Sequence, residues 1–271
     1  MFSSTTRGDA PSNRTCQCLD PGGDSVVNSA RELSPNMNIP PVFVRSAFAV
    51  ALLATLSLRA AEKKSGDGWQ TWFKDGLGDA RVVSGTASYK AANGVLTGTT
   101  VDGSPNSFLM KGPYKDFELE FEVKVDDALN SGVQVRSHVV KAGDPAPSGT
   151  KAGKAHPVGR MYGPQCEIAV NGTAGDFYDE ARRAVWWTDV TNTQAIRTAA
   201  SKAAFKKGEW NKYRIVVKGD HYQSWVNGVP TADFRQPDDP EGYIGFQVHQ
   251  IKKGEGPYSV QWRNVRFRET K

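Results

Sequence analysis

Between Phe117 and Val125 the chain alternates strictly: Phe117, Leu119, Phe121, Val123 and Val125 are apolar, and Glu118, Glu120, Glu122 and Lys124 separate them. Successive side chains of a strand point to opposite faces, so this segment can bury its apolar set only as a strand with one face inward. The same period returns at Val133, Val135, Ser137 and Val139, at Cys166, Ile168 and Val170, at Ile215 and Val217, and at Ile244, Phe246 and Val248. Asn227-Gly228, directly after Tyr222 to Val226, is a strong hairpin signal because both central positions of a type I′ turn need positive φ. Asn93-Gly94 is a second.

Helical patterning is confined to 177–187 and to the Ala-rich stretch from Gln194 to Phe205. Neither supplies the crossovers a parallel sheet requires, so the pattern predicts an all-β antiparallel β-sandwich of jelly-roll type. A chain of 271 residues with 38% hydrophobic content has enough apolar material for one such core. Near the C-terminus the parity changes, Val260 and Trp262 having one phase and Val265 and Phe267 the other, which predicts a bulge near Arg263-Asn264. The Pro, Gly and Lys-rich tract 141–159 is long for a loop and is expected either to rim a site or to be a solvated insertion.

The first 36 residues are rich in Ser, Asn, Gly, Asp and Pro and show no apolar period. They read as a disordered or wrongly included extension. From Met37 to Ala61 the order is a basic residue, Arg45, an apolar run from Ala47 to Leu58, then Ala60-Ala61, which is the order of a secretory signal. The run is about 12 residues against the roughly 20 needed to span a bilayer, so no stable membrane anchor is expected. The working domain then covers 62–271, and its place is secreted or periplasmic. Cys16 and Cys18 fall upstream, which leaves Cys166 alone in the mature chain and no internal disulfide.

The charge balance, 34 Lys and Arg against 29 Asp and Glu, gives a net +5 without clustered basic runs, so no nucleic-acid partner is expected. Zinc-protease, serine-hydrolase and phosphate-loop motifs are absent. The four His residues, at 138, 156, 221 and 249, are scattered, so no cofactor is assigned. A Ca²⁺ or Mn²⁺ ion held by oxygens and one His stays open. Glu118, Glu120 and Glu122 share one face and read as a solvated stripe.

Strand parity also groups polar residues. With Val133 and Val135 inward, Gln134, Arg136 and His138 fall on the opposite face; Glu167 opposes Cys166 and Ile168; Tyr243, Gln247 and His249 oppose Ile244, Phe246 and Val248. Aromatic rings that stack on a pyranose and polar groups that grip its hydroxyls suit a sugar, so carbohydrate is the expected ligand, bound by an enzyme or by a non-catalytic lectin-like module. Protein partners are not indicated.

An ordered set of short motifs runs from Phe73-Lys74-Asp75-Gly76 through Gly94-Val95-Leu96, Phe117-Glu118-Leu119, Asn130-Ser131-Gly132-Val133 and Gly208-Glu209-Trp210-Asn211. It continues with Val226-Asn227-Gly228, Gly242 to Gln247 with His249, and Trp262-Arg263-Asn264-Val265. Together they resemble the 3-keto-disaccharide hydrolase domain family over about 69–269. That resemblance implies a concanavalin A-like lectin/glucanase sandwich. Members commonly carry aromatic-Glu-x-Gln where this chain has Gln165-Cys166-Glu167-Ile168-Ala169.

The resemblance also implies a chemistry. A ketone at C3 of a sugar acidifies the C2 proton, so a base forms an enolate, the C1 substituent leaves by β-elimination, and water can add. His249 or Glu167 is the expected base, tuned towards neutral pKa in a partly enclosed cleft, and Arg136 the expected enolate stabiliser. Gln134, Gln247, Asn130 and Arg263 are the expected contacts to sugar hydroxyls, and Trp187 or Tyr162 the stacking surface.

Overall fold

The computed structural model describes residues 66–147, 149, 156–187 and 198–270, all within the compact unit Leu56–Lys271. The extension 1–36, the signal-like segment 37–61 with its apolar run, Cys16, Cys18 and residues 194–197 lie outside the described residues. Among the described residues no helix is long and apolar enough to cross a membrane.

In chain order the strands are β1 Gln70–Thr71, β2 Arg81–Val83, β3 Ser88–Ala92, β4 Val95–Thr99, β5 Ser107–Tyr114, β6 Phe117–Val125 and β7 Ser131–Val139. They continue with β8 Met161–Ile168, β9 Phe177–Glu180, β10 Asn211–Lys218, β11 His221–Val226, β12 Val229–Arg235, β13 Gly242–Val248 and β14 Ser259–Glu269. One short helix, α1, covers Ala199–Lys202, with Thr198 accepting at its N-terminus from the Ser201 amide. The strands form an eight-stranded sheet, β12-β11-β10-β6-β14-β4-β3 with β1 on β14, and a six-stranded sheet, β2-β5-β13-β7-β8-β9. Every pairing is antiparallel. The predicted all-β sandwich is what forms.

The core lies between the sheets and follows the sequence periods. Leu119, Phe121 and Val123 of β6, Val133 and Val135 of β7, Cys166 and Ile168 of β8, and Ile244 and Phe246 of β13 all belong to it. Burying each such side chain contributes about 1.5–3 kcal/mol. Aromatic pairs fill it: Phe121 stacks on its cross-strand neighbour Tyr213 at 5.1 Å, and Phe246 of the six-stranded sheet meets Phe73 and, across the layers, Trp262 edge-on at 5.3 and 5.5 Å. Cys166 is a free, buried thiol in this core.

Both hairpin signals hold, Asn93-Gly94 joining β3 to β4 and Asn227-Gly228 joining β11 to β12, with all four φ values positive. The parity change at Arg263-Asn264 is a bulge with Asn264 at φ 50°. The helical reading of 177–187 does not hold. Phe177–Glu180 is β9, paired antiparallel with β8, and Ala181 and Ala184 then turn the chain at φ 54° and 56°. Pairing along the free edge of β8 overrides local helix preference there. Of the Ala-rich stretch, only Ala199–Lys202 is helical among the described residues.

Candidate sugar-binding site

The face of the six-stranded sheet turned away from the core carries the polar side chains that alternate with core residues. On β7 these are Gly132 and Gln134, on β8 Gln165 and Glu167, on β9 Tyr178 and Glu180, and on β13 Gln247. Register brings them side by side: Gly132 opposes Glu167, Gln134 opposes Gln165, and Gln165 opposes Tyr178. A cavity of about 410 Å³ opens over this patch, lined by Asn130, Gln165, Glu167, Tyr178, Trp186 and Gln247 among others, with Glu180 and His249 at its wall.

Glu167 is its electrostatic centre. The side chain is 7% exposed, and burial pushes its carboxyl up to about 7; Gln165 and Asn130 donate hydrogen bonds that oppose the rise, while Glu180 and Asp176 add to it. Asn130 Nδ2 reaches Oε1 and Gln165 Nε2 reaches Oε2, both at 3.2 Å. Glycine at 132 makes this possible, because a Cβ there would sit 2.5 Å from the Gln165 side chain.

The surrounding amides are under-used. Both amide atoms of Gln247 and of Gln134, Gln165 Oε1 and Asn130 Oδ1 are buried without a protein partner. Unsatisfied buried polar atoms are costly, and four of these, on Gln247, Gln165 and Asn130, belong to residues that line the one cavity, where the hydroxyls of a ligand can pair with them. Tyr178 and Trp186 form an aromatic wall with ring centroids 5.1 Å apart. Burial raises the Tyr178 phenol pKa, and Glu180, Glu167 and Asp179 push the same way, so it stays a protonated donor. His249 is half-buried, and its Nδ1 lies 2.7 Å from the Gln250 carbonyl. A carbonyl only accepts, so Nδ1 carries the hydrogen and Nε2 is left to accept a proton or, once protonated, to donate one.

The structure thus brings Glu167, His249, Asn130 and Gln247 to one cavity, with Gln134 beside Gln165 on the same sheet but outside the cavity lining. It does not bring the others. Arg136 departs from the expected shared face because its φ of 46° turns the chain in a β7 bulge. Its guanidinium is 1% exposed and donates to the carbonyls of Lys115, Gly219 and Asp239 and to Asp116 Oδ1. Close packing of Gly242 on the Arg136 backbone holds that bulge, a Cβ at 242 falling 2.4 Å from the Arg136 carbonyl carbon. Beyond the bulge, His138 binds Asp239 rather than joining Gln134, and Tyr162 packs on the His138 ring at 5.6 Å. Arg263 belongs to the other sheet, where it pairs with Glu122 and covers Trp210. Trp187 is buried in the core parallel to Phe234, and its neighbour Trp186 lines the cavity instead.

Sequence reading missed Gln165, Tyr178, Trp186 and Glu180. Gln165 carried a usable signal, since it shares the parity of Glu167; the other three were hidden by the helical reading of 177–187. None of the described residues of the tract 141–159 lines the cavity. Among the described residues no three His, Cys, Asp or Glu side chains converge as a metal-ligand set.

The 3-keto-alpha-glucoside-1,2-lyase-like domain family model matches residues 61–268. No curated protein matches in sequence. Solved structures of similar fold include a putative glycosyl hydrolase from Parabacteroides distasonis, 20% identical, covering 74% of this chain and 99% of its own with TM-score 0.43. The carbohydrate binding module CBM66 from Bacillus subtilis is 14% identical over 75% and 96% with TM-score 0.42. The kappa-carrageenase of Pseudoalteromonas carrageenovora is 10% identical over 79% and 99% with TM-score 0.46.

Proposed function

Because the chain belongs to the 3-keto-alpha-glucoside-1,2-lyase-like domain family, we propose that it is a carbohydrate-active enzyme cleaving the glycosidic bond of 3-keto-glycosides in the cavity around Glu167. The observation that carries this reading is a carboxyl held near pKa 7 by burial, beside the unpartnered Gln247 amide and the unpaired amide oxygens of Asn130 and Gln165. A module that only binds sugar needs the amides and rings. It gains nothing from a carboxyl poised between acid and base.

Glu167 as carboxylate takes the C2 proton, made acidic by the C3 ketone. The released pair forms the enolate and then the C1–C2 double bond, while the C1–O bond breaks with its electrons on the leaving oxygen. His249, protonated at Nε2, gives that oxygen its proton. The step ends with neutral Glu167, neutral His249, an alcohol and a 3-keto-glycal. Hydration runs the same path backwards: His249 takes a proton from water as it adds to C1, and Glu167 returns its proton to C2. The Gln247 amide, buried and unpartnered, supplies the hydrogen bond to the enolate oxygen that was expected from Arg136. Asn130 and Gln165 hold Glu167 and offer their free carbonyl oxygens to sugar hydroxyls. Tyr178 and Trp186 take the stacking role. No step is assigned to Ca²⁺ or Mn²⁺, and the signal-like segment 37–61 supports a secreted or periplasmic place for the activity.

The test is incubation with a 3-keto-glucoside, following aglycone release and C2 proton exchange, with chelator and with added Ca²⁺ or Mn²⁺. Glu167→Gln is expected to lower turnover by about 10²-fold or more. Full turnover in both Glu167→Gln and His249→Ala overturns the assignment, and sugar binding without release under every metal condition establishes the lectin-like reading instead.

A further inference from the structure

A second cavity, of about 580 Å³, adjoins the first and shares Asn130, Asn171 and His249 with it. Its wall differs in kind. Leu129, Ala169, Val170 and Ile251 supply an aliphatic strip, Asp127, Lys252 and Glu255 supply charge, and apart from the shared His249 no aromatic ring lines it. The first cavity has the reverse composition, lined by an indole, a phenol, four amide and two carboxyl side chains and no aliphatic one. A pyranose favours the first wall, where rings meet its apolar face and amides its hydroxyls. The second offers a hydrophobic body an aliphatic strip to lie against, with the charged side chains and the amides of Asn130, Asn171 and Gln250 around it. Leu129 and Ala169 are 4% and 3% exposed, so the strip continues into the core, while Val170 is 44% exposed and open to an incoming group.

Resting on the catalytic reading above, we infer that the 580 Å³ cavity holds the leaving group and that this group is a bulky apolar aglycone rather than a second sugar. His249 stands where the two cavities join, which is where the bond between sugar and aglycone must lie for its Nε2 to protonate the departing oxygen. A volume of this size accommodates a drug-sized hydrocarbon body. Removing such a body from water against Val170 and Ile251 adds binding that a hydroxyl-covered sugar, with no indole or phenol there to stack on, does not gain.

The experiment compares kcat/KM for methyl and cyclohexylmethyl 3-keto-glucosides, whose alcohols have similar acidity, with that for a 3-keto-disaccharide. The cyclohexylmethyl compound is expected to exceed both others by at least about tenfold. Val170→Asp and Ile251→Asp are expected to reduce the cyclohexylmethyl-to-methyl ratio towards one. Equal turnover of methyl and cyclohexylmethyl substrates, a preference for the disaccharide, or an unchanged ratio in both variants overturns this inference and leaves the catalytic reading in place. Absence of turnover for all three substrates overturns the catalytic reading and this inference with it.

Discussion

Gln165 and Glu167 project from the same face of β8, and the Gln165 amide donates to Glu167 Oε2 at 3.2 Å. The donor favours the ionised carboxylate, yet burial outweighs it, and the carboxyl sits at about 7 instead of 4.5. A site residue of this kind makes folding and catalysis oppose each other in pH.

Folding raises this pKa, so the protonated Glu167 stabilises the fold fully below about 4.5, and the contribution is lost as pH climbs to about 7 and above. The interval corresponds to on the order of 3 kcal/mol. Glu167→Gln removes the ionisable group, and its new amide can pair with Gln165 Oε1 or Asn130 Oδ1, both unpartnered in the parent. The variant is expected to match the parent in Tm near pH 4.5 and to exceed it by pH 8. On the acid side of about 7 the turnover of the parent rises with pH as the base ionises, so the state in which Glu167 stabilises the fold most is the least active. Thermal unfolding at a series of pH values, set beside the pH profile of kcat/KM, checks both halves.

Gly132→Ala tests the same pair from below. The added methyl would fall within 2.7 Å of Gln165 Cγ, Cδ and Nε2, so the Gln165 side chain must swing off Glu167. The backbone at 132 is not in the left-handed region, and it tolerates alanine. Loss of the Gln165 donor removes one influence that lowers the Glu167 pKa. The activity midpoint is expected to move above about 7 and kcat/KM to fall, with Tm changed by no more than about 1–2 kcal/mol equivalent. A midpoint that moves downward would show that Gln165 does not act on Glu167.

Much of this arrangement was legible in the sequence because strand parity is a local rule. It placed Glu167 and Gln247 on the outer face of their strands, brought His249, just past the end of β13, to the same side, and placed both Asn-Gly turns. It failed where parity is broken by contacts from elsewhere in the chain. Arg136 was expected at the site, but Gly242 packs on a bulge at that residue and four acceptors from distant turns capture its guanidinium. Tyr178 and Glu180 were missed because β9 is a strand only by virtue of pairing with β8. The Glu118, Glu120 and Glu122 stripe was read as solvated, and its depth was invisible: arginines from β10 and β14 close over it, and those arginines cover Trp69, Trp210 and Trp225.

That stripe gives a prediction about salt. Glu118 accepts from Arg214 and Arg268; burial acts to raise its pKa, and the two guanidiniums overcome it and hold the carboxyl below the ordinary range. Both arginines are more than a third exposed on the sheet surface, which screens the pairs. Glu118→Gln is expected to cost about 1 kcal/mol or less at low salt. The cost shrinks as ionic strength rises, as denaturant unfolding in dilute buffer and in about 1 M salt would show. A penalty independent of salt would mean that the side chain stabilises through packing alone.

Asp239 is the stronger case, because its network is dry. It is 1% exposed and accepts from Arg182 Nη1 at 2.9 Å and Nη2 at 2.8 Å, from His138 and from Gln236, while its backbone carbonyl accepts from Arg136 and Tyr222. Arg182 also binds Asp179 of β9, next to Tyr178 and Glu180 on the cavity wall. Burial alone would raise the Asp239 pKa, but His138 and Arg182 carry it below the ordinary carboxylate range. Its contribution is therefore present above that range and lost as pH falls through the lowered value. Asp239→Asn leaves Arg182 buried with half its partners, a change expected to cost about 3–5 kcal/mol at neutral pH. Because β9 is fixed through Asp179 and Arg182, the same variant should loosen Tyr178 and weaken sugar binding several-fold, while His249→Ala leaves Tm nearly unchanged. Urea unfolding at pH 7 and at pH 3 measures the first effect, the gap between parent and variant narrowing in acid. Titration of the variant with a 3-keto-glucoside measures the second, and unaltered affinity would show that β9 holds its position without the network.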